Sequence, residues 1–212
     1  MSEKSEKLLS VLKLQPVVPV LIVENAASAV PLARALVAGG LKAIEITMRT
    51  PAALDAIRAV AAEVEGAVAG AGTILNAQHF DQAVAAGSQF IVSPGTTPGL
   101  LDAAKGSPVP LLPGAATASE VMALREKGYD VLKFFPAEQA GGAAYLKSLS
   151  SPLAGTLFCP TGGISLSNAM DYLSLPNVVC IGGSWVAPKD LVARGDWAGI
   201  TRLAAEAAAL KA

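Results

Sequence analysis

A lysine stands at position 133 inside YDVLKFFPAE, flanked by Val131, Leu132, Phe134 and Phe135 and closed off by Pro136. These neighbours describe a strand buried on both faces, a setting in which an ammonium group is costly to desolvate. Period-two alternation puts Lys133 and Phe135 on one face and Leu132 and Phe134 on the other. The face that meets covering helices must be apolar, so Lys133 points inward. Desolvation penalises the ammonium form and favours the neutral amine, a nucleophile able to attack a carbonyl and form an imine.

A carboxylate has the same setting. In AIEITMRTP, Ile44, Ile46 and Met48 make the apolar outer face, which leaves Glu45, Thr47 and Arg49 inward. An internal quasi-repeat relates the two sites: VAGGLKAIEIT, VAAGSQFIVS and REKGYDVLKFF each pass from a helix C-terminus through a capping glycine into a strand. Aligned on Gly40, Gly87 and Gly128, they bring Glu45, Val92 and Lys133 to the same offset. A buried Glu45–Lys133 pair need only be structural, but such pairs stabilise weakly and are often retained for function. General acid–base chemistry by Glu45 is therefore expected. Arg49, one strand step nearer the C-terminal mouth, carries a planar fork that suits a carboxylate.

The elements that position these groups follow from pattern. Short apolar, β-branched runs alternate with alanine-rich segments of helical period. Strands are expected near Val17–Val23, Ala43–Met48, Val68–Thr73, Phe90–Ser93, Leu111–Gly114, Val131–Phe135, Leu157–Thr161 and Val178–Gly182. Eight strands, each followed by a helix, specify a (β/α)8 TIM barrel in a single domain over 1–212. SEKLLSVLKL reads as an additional N-terminal amphipathic helix over one barrel end. Alternate strands of such a barrel contribute to one interior layer, which sets Glu45 and Lys133 opposite each other. A closed barrel has no edge, so the usual reading of a strand lysine as an edge or snorkelling residue does not apply.

Weaker signals lie at the other strand ends. GAGTILN puts Thr73 at the mouth as a hydrogen-bond donor, with Gly70 and Gly72 read as permitting close packing, and SPG puts Pro94 there either as an apolar wall or as a residue that shapes the turn. The last two strands end PTGGIS and IGGSWV, with paired glycines where barrels of this type hold phosphate. Backbone N–H groups, a helix N-terminus and the Ser184 hydroxyl can do so without a basic cluster.

Composition excludes several classes. Of 212 residues 52% are hydrophobic and 16% charged, with net charge −1, which suits a compact core with apolar surface left for self-association. It offers no basic stripe for nucleic acid. VVPVLIV is too short to span a bilayer. MSEKSEK is polar and no signal-peptide core follows it, so nothing suggests export. The two cysteines, Cys159 and Cys180, read as small core residues of a reducing compartment. With His79 the single histidine, and read as a helix-surface residue, there is no metal-ligand motif, and no metal or cofactor is expected.

EITMRT, GAGT, SPG, KFFPAE, PTGGIS and IGGSW occur in that order, and with them nearly the whole chain resembles the class I aldolases of 2-keto-3-deoxy-6-phosphogluconate (KDPG) and 4-hydroxy-2-oxoglutarate (KHG). The resemblance implies a metal-independent lyase that cleaves KDPG to pyruvate and D-glyceraldehyde 3-phosphate through an imine on Lys133, with Glu45 as acid and base. It implies Arg49, Thr73, Pro94 and Phe135 around the pyruvate moiety. Thr161 would sit beside the sugar hydroxyls, with Gly162, Gly163, Gly183 and Ser184 on the phosphate. It also implies a cytoplasmic homotrimer. The first strand, PVLIV, lacks an arginine that some relatives carry, and Ala77 replaces a proline common among them. Three alternatives stand beside this reading. They are an aldolase for the galactonate epimer, a metal-free phosphosugar epimerase or isomerase with Glu45 as base, and a non-catalytic phosphosugar-binding barrel.

Overall fold

The computed structural model describes residues 3–210; residues 1–2 and 211–212 of the expected domain lie outside the described residues. The chain runs α1 (Glu3–Leu12), β1 (Val17–Leu21), α2 (Ala29–Ala38), β2 (Ala43–Thr47), α3 (Ala53–Glu63), β3 (Val68–Gly72), α4 (Ala77–Ala85), β4 (Phe90–Val92) and α5 (Pro98–Gly106). It continues through β5 (Leu111–Leu112), β6 (Gly114–Ala115), α6 (Ala118–Glu126), β7 (Val131–Phe134), α7 (Gly142–Leu149), β8 (Leu157–Pro160), α8 (Ala169–Leu173), β9 (Ile181–Gly183), α9 (Lys189–Arg194) and α10 (Trp197–Ala208). This is an α/β fold in which every strand pair is parallel. Among the described residues no helix is long and apolar enough to cross a membrane.

The sheet is not one continuous ring of eight strands. Pairing gives a six-stranded sheet, β5-β4-β3-β2-β1-β9, and a three-stranded sheet, β6-β7-β8. Pro113 is the cause of the division. The expected fifth strand is cut there into β5 and β6, because proline has no N–H to donate to the β7 ladder, the side its carbonyl faces. Its carbonyl still serves β7, accepting from the Lys133 N–H at 2.9 Å. On the other side, two isolated parallel bridges, Phe158 to Val178 and Thr161 to Gly182, link β8 to the segment that ends in β9.

Strand residues divide between two cores by alternation. Ile44, Ile46, Leu132 and Phe134 join the larger cluster, where the helices pack on the sheet. Ala43, Phe90, Val92, Val131 and Cys159 join a smaller one, with Leu8 and Leu12 of α1. The quasi-repeat fixes this phase three times over. Gly40, Gly87 and Gly128 have φ of 96°, 94° and 84°, the left-handed conformation that suits glycine at a helix C-terminus. Beyond each, Leu41 donates to Leu36 at 2.9 Å, Ser88 to Ala83 at 3.1 Å and Tyr129 to Leu124 at 3.1 Å, the same six-to-one bond in all three places. Identical turns deliver β2, β4 and β7 with the fifth residue after the glycine on the same face. Those residues are Glu45, Val92 and Lys133.

Candidate active site

Val131 and Ala43 belong to the smaller cluster, and Lys133 and Glu45 are the next residues along on the same face of β7 and β2. Both are buried, each 3% exposed. Their side chains meet: Lys133 Nζ donates to Glu45 Oε1 at 3.3 Å. Lys133 Nζ also stands 5.3 Å from the centroid of the Phe135 ring.

The fit around Glu45 explains the glycines of GAGT. A Cβ on Gly72 would come within 2.0 Å of Glu45 Oε1, and one on Gly70 would reach 2.2 Å from the Phe90 ring. Gly72 is thus a socket for the carboxylate. Gly72→Ala is expected to displace Glu45 from Lys133 and lower kcat by about 10²-fold or more, the usual worth of a positioned acid–base group. Steady-state kinetics with a melting curve checks this, and a folded Gly72→Ala with kcat near wild type contradicts it.

Toward the mouth, β2 ends at Thr47, so Arg49 lies just past the strand rather than on it. Its Nε donates to Thr73 Oγ1 at 2.9 Å. Thr73 follows β3 with φ of 59°, a conformation uncommon outside glycine, asparagine and aspartate. Thr47 is fully buried and donates its hydroxyl to the Leu21 carbonyl at 2.8 Å, so it ties β2 to β1. Pro94 packs backbone against backbone on Gly114, where a Cβ would fall 2.3 Å from the Pro94 carbonyl.

A cavity of about 740 Å³ opens beside this group, and its wall includes Arg49, Phe135, Thr161, Gly162, Gly163, Gly183 and Ser184. Lys133, Glu45, Thr73 and Pro94 stand outside that wall. Lys133 and Glu45 connect to it through Phe135, two residues on from Lys133, and Thr73 connects through its bond to Arg49. The two glycine pairs differ in kind. Gly162 and Gly163, with φ of 106° and 75°, shape a turn. Gly182 and Gly183 instead make room, since added Cβ atoms would fall 2.2 Å from Thr161 Oγ1 and 1.9 Å from the Trp185 ring. Among the described residues, the N–H groups of Gly163 and Ser184 meet no protein acceptor. Free amides on a cavity wall, next to a hydroxyl, are what an anion such as phosphate binds.

The wall also contains Ile22, Val23, Leu32 and Val192, none of which the sequence motifs pointed to. A usable signal was there: VVPVLIV runs past the end of β1, and Ile22 is 40% exposed in a segment that otherwise reads as core. The cysteines sit in the smaller cluster. Neighbouring Cys159 and burial push the Cys180 thiol well up, so it stays protonated as a core residue.

The family model described as KDPG and KHG aldolase matches residues 8–203. The chain belongs to the KDPG and KHG aldolase family. It is 52% identical over 194 residues to a 2-dehydro-3-deoxy-phosphogluconate aldolase of Pseudoalteromonas atlantica, covering 92% of this chain and 90% of that one. Among solved structures, the KDPG aldolase of Zymomonas mobilis with 3-phosphoglycerate superposes at a TM-score of 0.90 with 51% identity, covering 95% of each chain. The KDPG aldolase of Legionella pneumophila superposes at 0.93 with 40% identity, covering 98% of this chain and 99% of that one. It holds pyruvate captured as a covalent carbinolamine. Both solved family members share the fold described above over nearly their full length.

Proposed function

We propose that this chain is a class I, metal-independent aldolase that cleaves KDPG to pyruvate and D-glyceraldehyde 3-phosphate and also cleaves KHG. The observation that carries the reading is a lysine amine 3.3 Å from a carboxylate, both buried, beside a cavity with free backbone amides. The neutral Lys133 amine attacks the C2 ketone, and loss of water from the carbinolamine gives a protonated imine. Glu45, through a water, takes the C4 hydroxyl proton as the C3–C4 bond breaks, and the electron pair flows into the imine to give an enamine. Glyceraldehyde 3-phosphate leaves as the aldehyde. Protonation at C3 and addition of water to the imine then release pyruvate and restore the amine. The carbinolamine of pyruvate held by the Legionella relative supports the first of these steps.

In this reading Arg49 and Thr73 hold the pyruvate carboxylate, Phe135 and Pro94 wall the pyruvate moiety, and Thr161 faces the sugar hydroxyls. Gly162, Gly163, Gly183 and Ser184 hold the phosphate. The 3-phosphoglycerate of the Zymomonas structure supports phosphate binding in this family. The two sheets form one closed (β/α)8 barrel in a single domain, with the bridges at Thr161–Gly182 and Phe158–Val178 as the seam and α1 over the N-terminal end. The protein works as a cytoplasmic homotrimer, and exposed Leu75, Met122, Leu166 and Met170 are apolar surface available to its contacts.

Pyruvate release from KDPG, coupled to lactate dehydrogenase, tests the activity and should persist after chelation. No pyruvate, or faster cleavage of the galactonate epimer, overturns the substrate assignment. The phosphate assignment has its own test. Ser184→Asp places a negative charge where the phosphate sits and removes a charge-assisted bond worth roughly 1.5–3 kcal/mol. KM for KDPG should rise at least about tenfold, with KM for unphosphorylated KHG little changed. Equal shifts for both substrates contradict a phosphate site there.

A further inference from the structure

Behind the PTGG turn stands a buried phenol that the mechanism above does not use. Tyr172 of α8 is fully buried, and its hydroxyl donates to Glu138 Oε1. Glu138 follows β7 in the segment that also contains Phe135, and its backbone N–H donates to the Gly162 carbonyl at 3.1 Å. The preceding N–H, of Ala137, donates to the Thr161 carbonyl at 2.8 Å. The Glu138 side chain lies directly against Gly163, where an added Cβ would come within 2.6 Å of Glu138 Cγ. From the far side, Asn168 Nδ2 donates to the Gly163 carbonyl at 3.2 Å and Asn168 Oδ1 accepts from the Ser165 N–H at 2.8 Å. The bonds from Ala137, Glu138 and Asn168 all engage the turn away from its free Gly163 amide.

We propose that Glu138 and Tyr172 are positioning residues for phosphate recognition: the Tyr172 hydroxyl fixes the Glu138 carboxylate, and Glu138 presses on Gly163 so that its free amide keeps one orientation. The proposal rests on the phosphate reading of that turn. Neither residue touches substrate. Burial first, and the Glu138 carboxylate second, hold the Tyr172 phenol far above the ordinary tyrosine range, so the donor stays protonated at working pH. A backbone site with no cation in the turn depends on pre-orientation, because amides that must first be ordered lose part of their binding free energy. Removing the support therefore affects the ligand that uses the turn and leaves imine chemistry alone.

The experiment compares Glu138→Ala, Glu138→Gln and Tyr172→Phe with wild type, using KDPG, KHG and inorganic phosphate as an inhibitor of KHG cleavage. Glu138→Ala and Tyr172→Phe should raise KM for KDPG and Ki for phosphate about three- to tenfold, part of the worth of a charge-assisted bond. Their kcat, and both constants for KHG, should stay within about twofold. Glu138→Gln keeps the length and an acceptor oxygen for Tyr172, so it should recover most of the loss. A uniform fall for both substrates, or an unchanged phosphate Ki in a folded Glu138→Ala, overturns the proposal. Ser184→Asp run in parallel separates the two claims. If it weakens phosphate while Glu138→Ala and Tyr172→Phe do not, the clamp alone fails; if it also has no effect, the phosphate turn fails and the clamp with it.

Discussion

Lys133→Ala is expected to lose KDPG cleavage by roughly 10⁴–10⁶-fold, the scale seen when the group that forms the covalent intermediate is removed. No other described lysine can take its place at the carboxylate: among the described residues, Glu45 has its one ion pair with Lys133. Truncation also leaves Glu45 buried without a partner, and breaking a buried pair in this way typically costs about 3–5 kcal/mol. The melting temperature should therefore fall along with activity. Far-UV circular dichroism on the same preparation confirms that the folded enzyme is what was assayed. Residual turnover near wild type in folded Lys133→Ala contradicts covalent catalysis outright.

Glu45→Gln should lower kcat by about 10²–10⁴-fold, because it keeps the size of the side chain and most of its hydrogen bonding but removes the base. The socket at Gly72 accepts the amide, which is nearly isosteric, so the site should stay assembled. Imine formation with pyruvate should weaken less than cleavage, since the amine remains. Exchange of the pyruvate methyl protons in deuterium oxide should fall together with cleavage, because enamine formation needs the same base. A structural counter-ion gives the opposite pattern, a lower melting temperature with exchange near the wild-type rate. Normal exchange in Glu45→Gln removes the catalytic role.

How far the sequence could be read depends on the kind of contact. The facing of Glu45 and Lys133 was legible because three equal turns, at Gly40, Gly87 and Gly128, set strand phase by local chemistry alone. Strand ends were not. Met48, Thr73, Ser93 and Phe135 were expected within strands, but each lies just past one, since the residue that leaves a strand continues its alternation and only the ladder bonds mark the end. Pro113 did carry a usable signal, the missing donor that splits the expected fifth strand into β5 and β6. The partners of the GAGT glycines, Glu45 and Phe90, are tertiary, and nothing local in the motif names them. Glu138 and Tyr172 are 34 residues apart, and nothing local in either segment marks the bond between them.

The central claim, that Lys133 forms an imine with the substrate, is tested most directly by reducing the enzyme with borohydride in the presence of pyruvate and mapping the product by mass spectrometry. One reduced pyruvyl group on Lys133, formed in step with loss of activity and unaffected by chelators, is the expected result. Label on a different lysine, or inactivation without any adduct at Lys133, contradicts it.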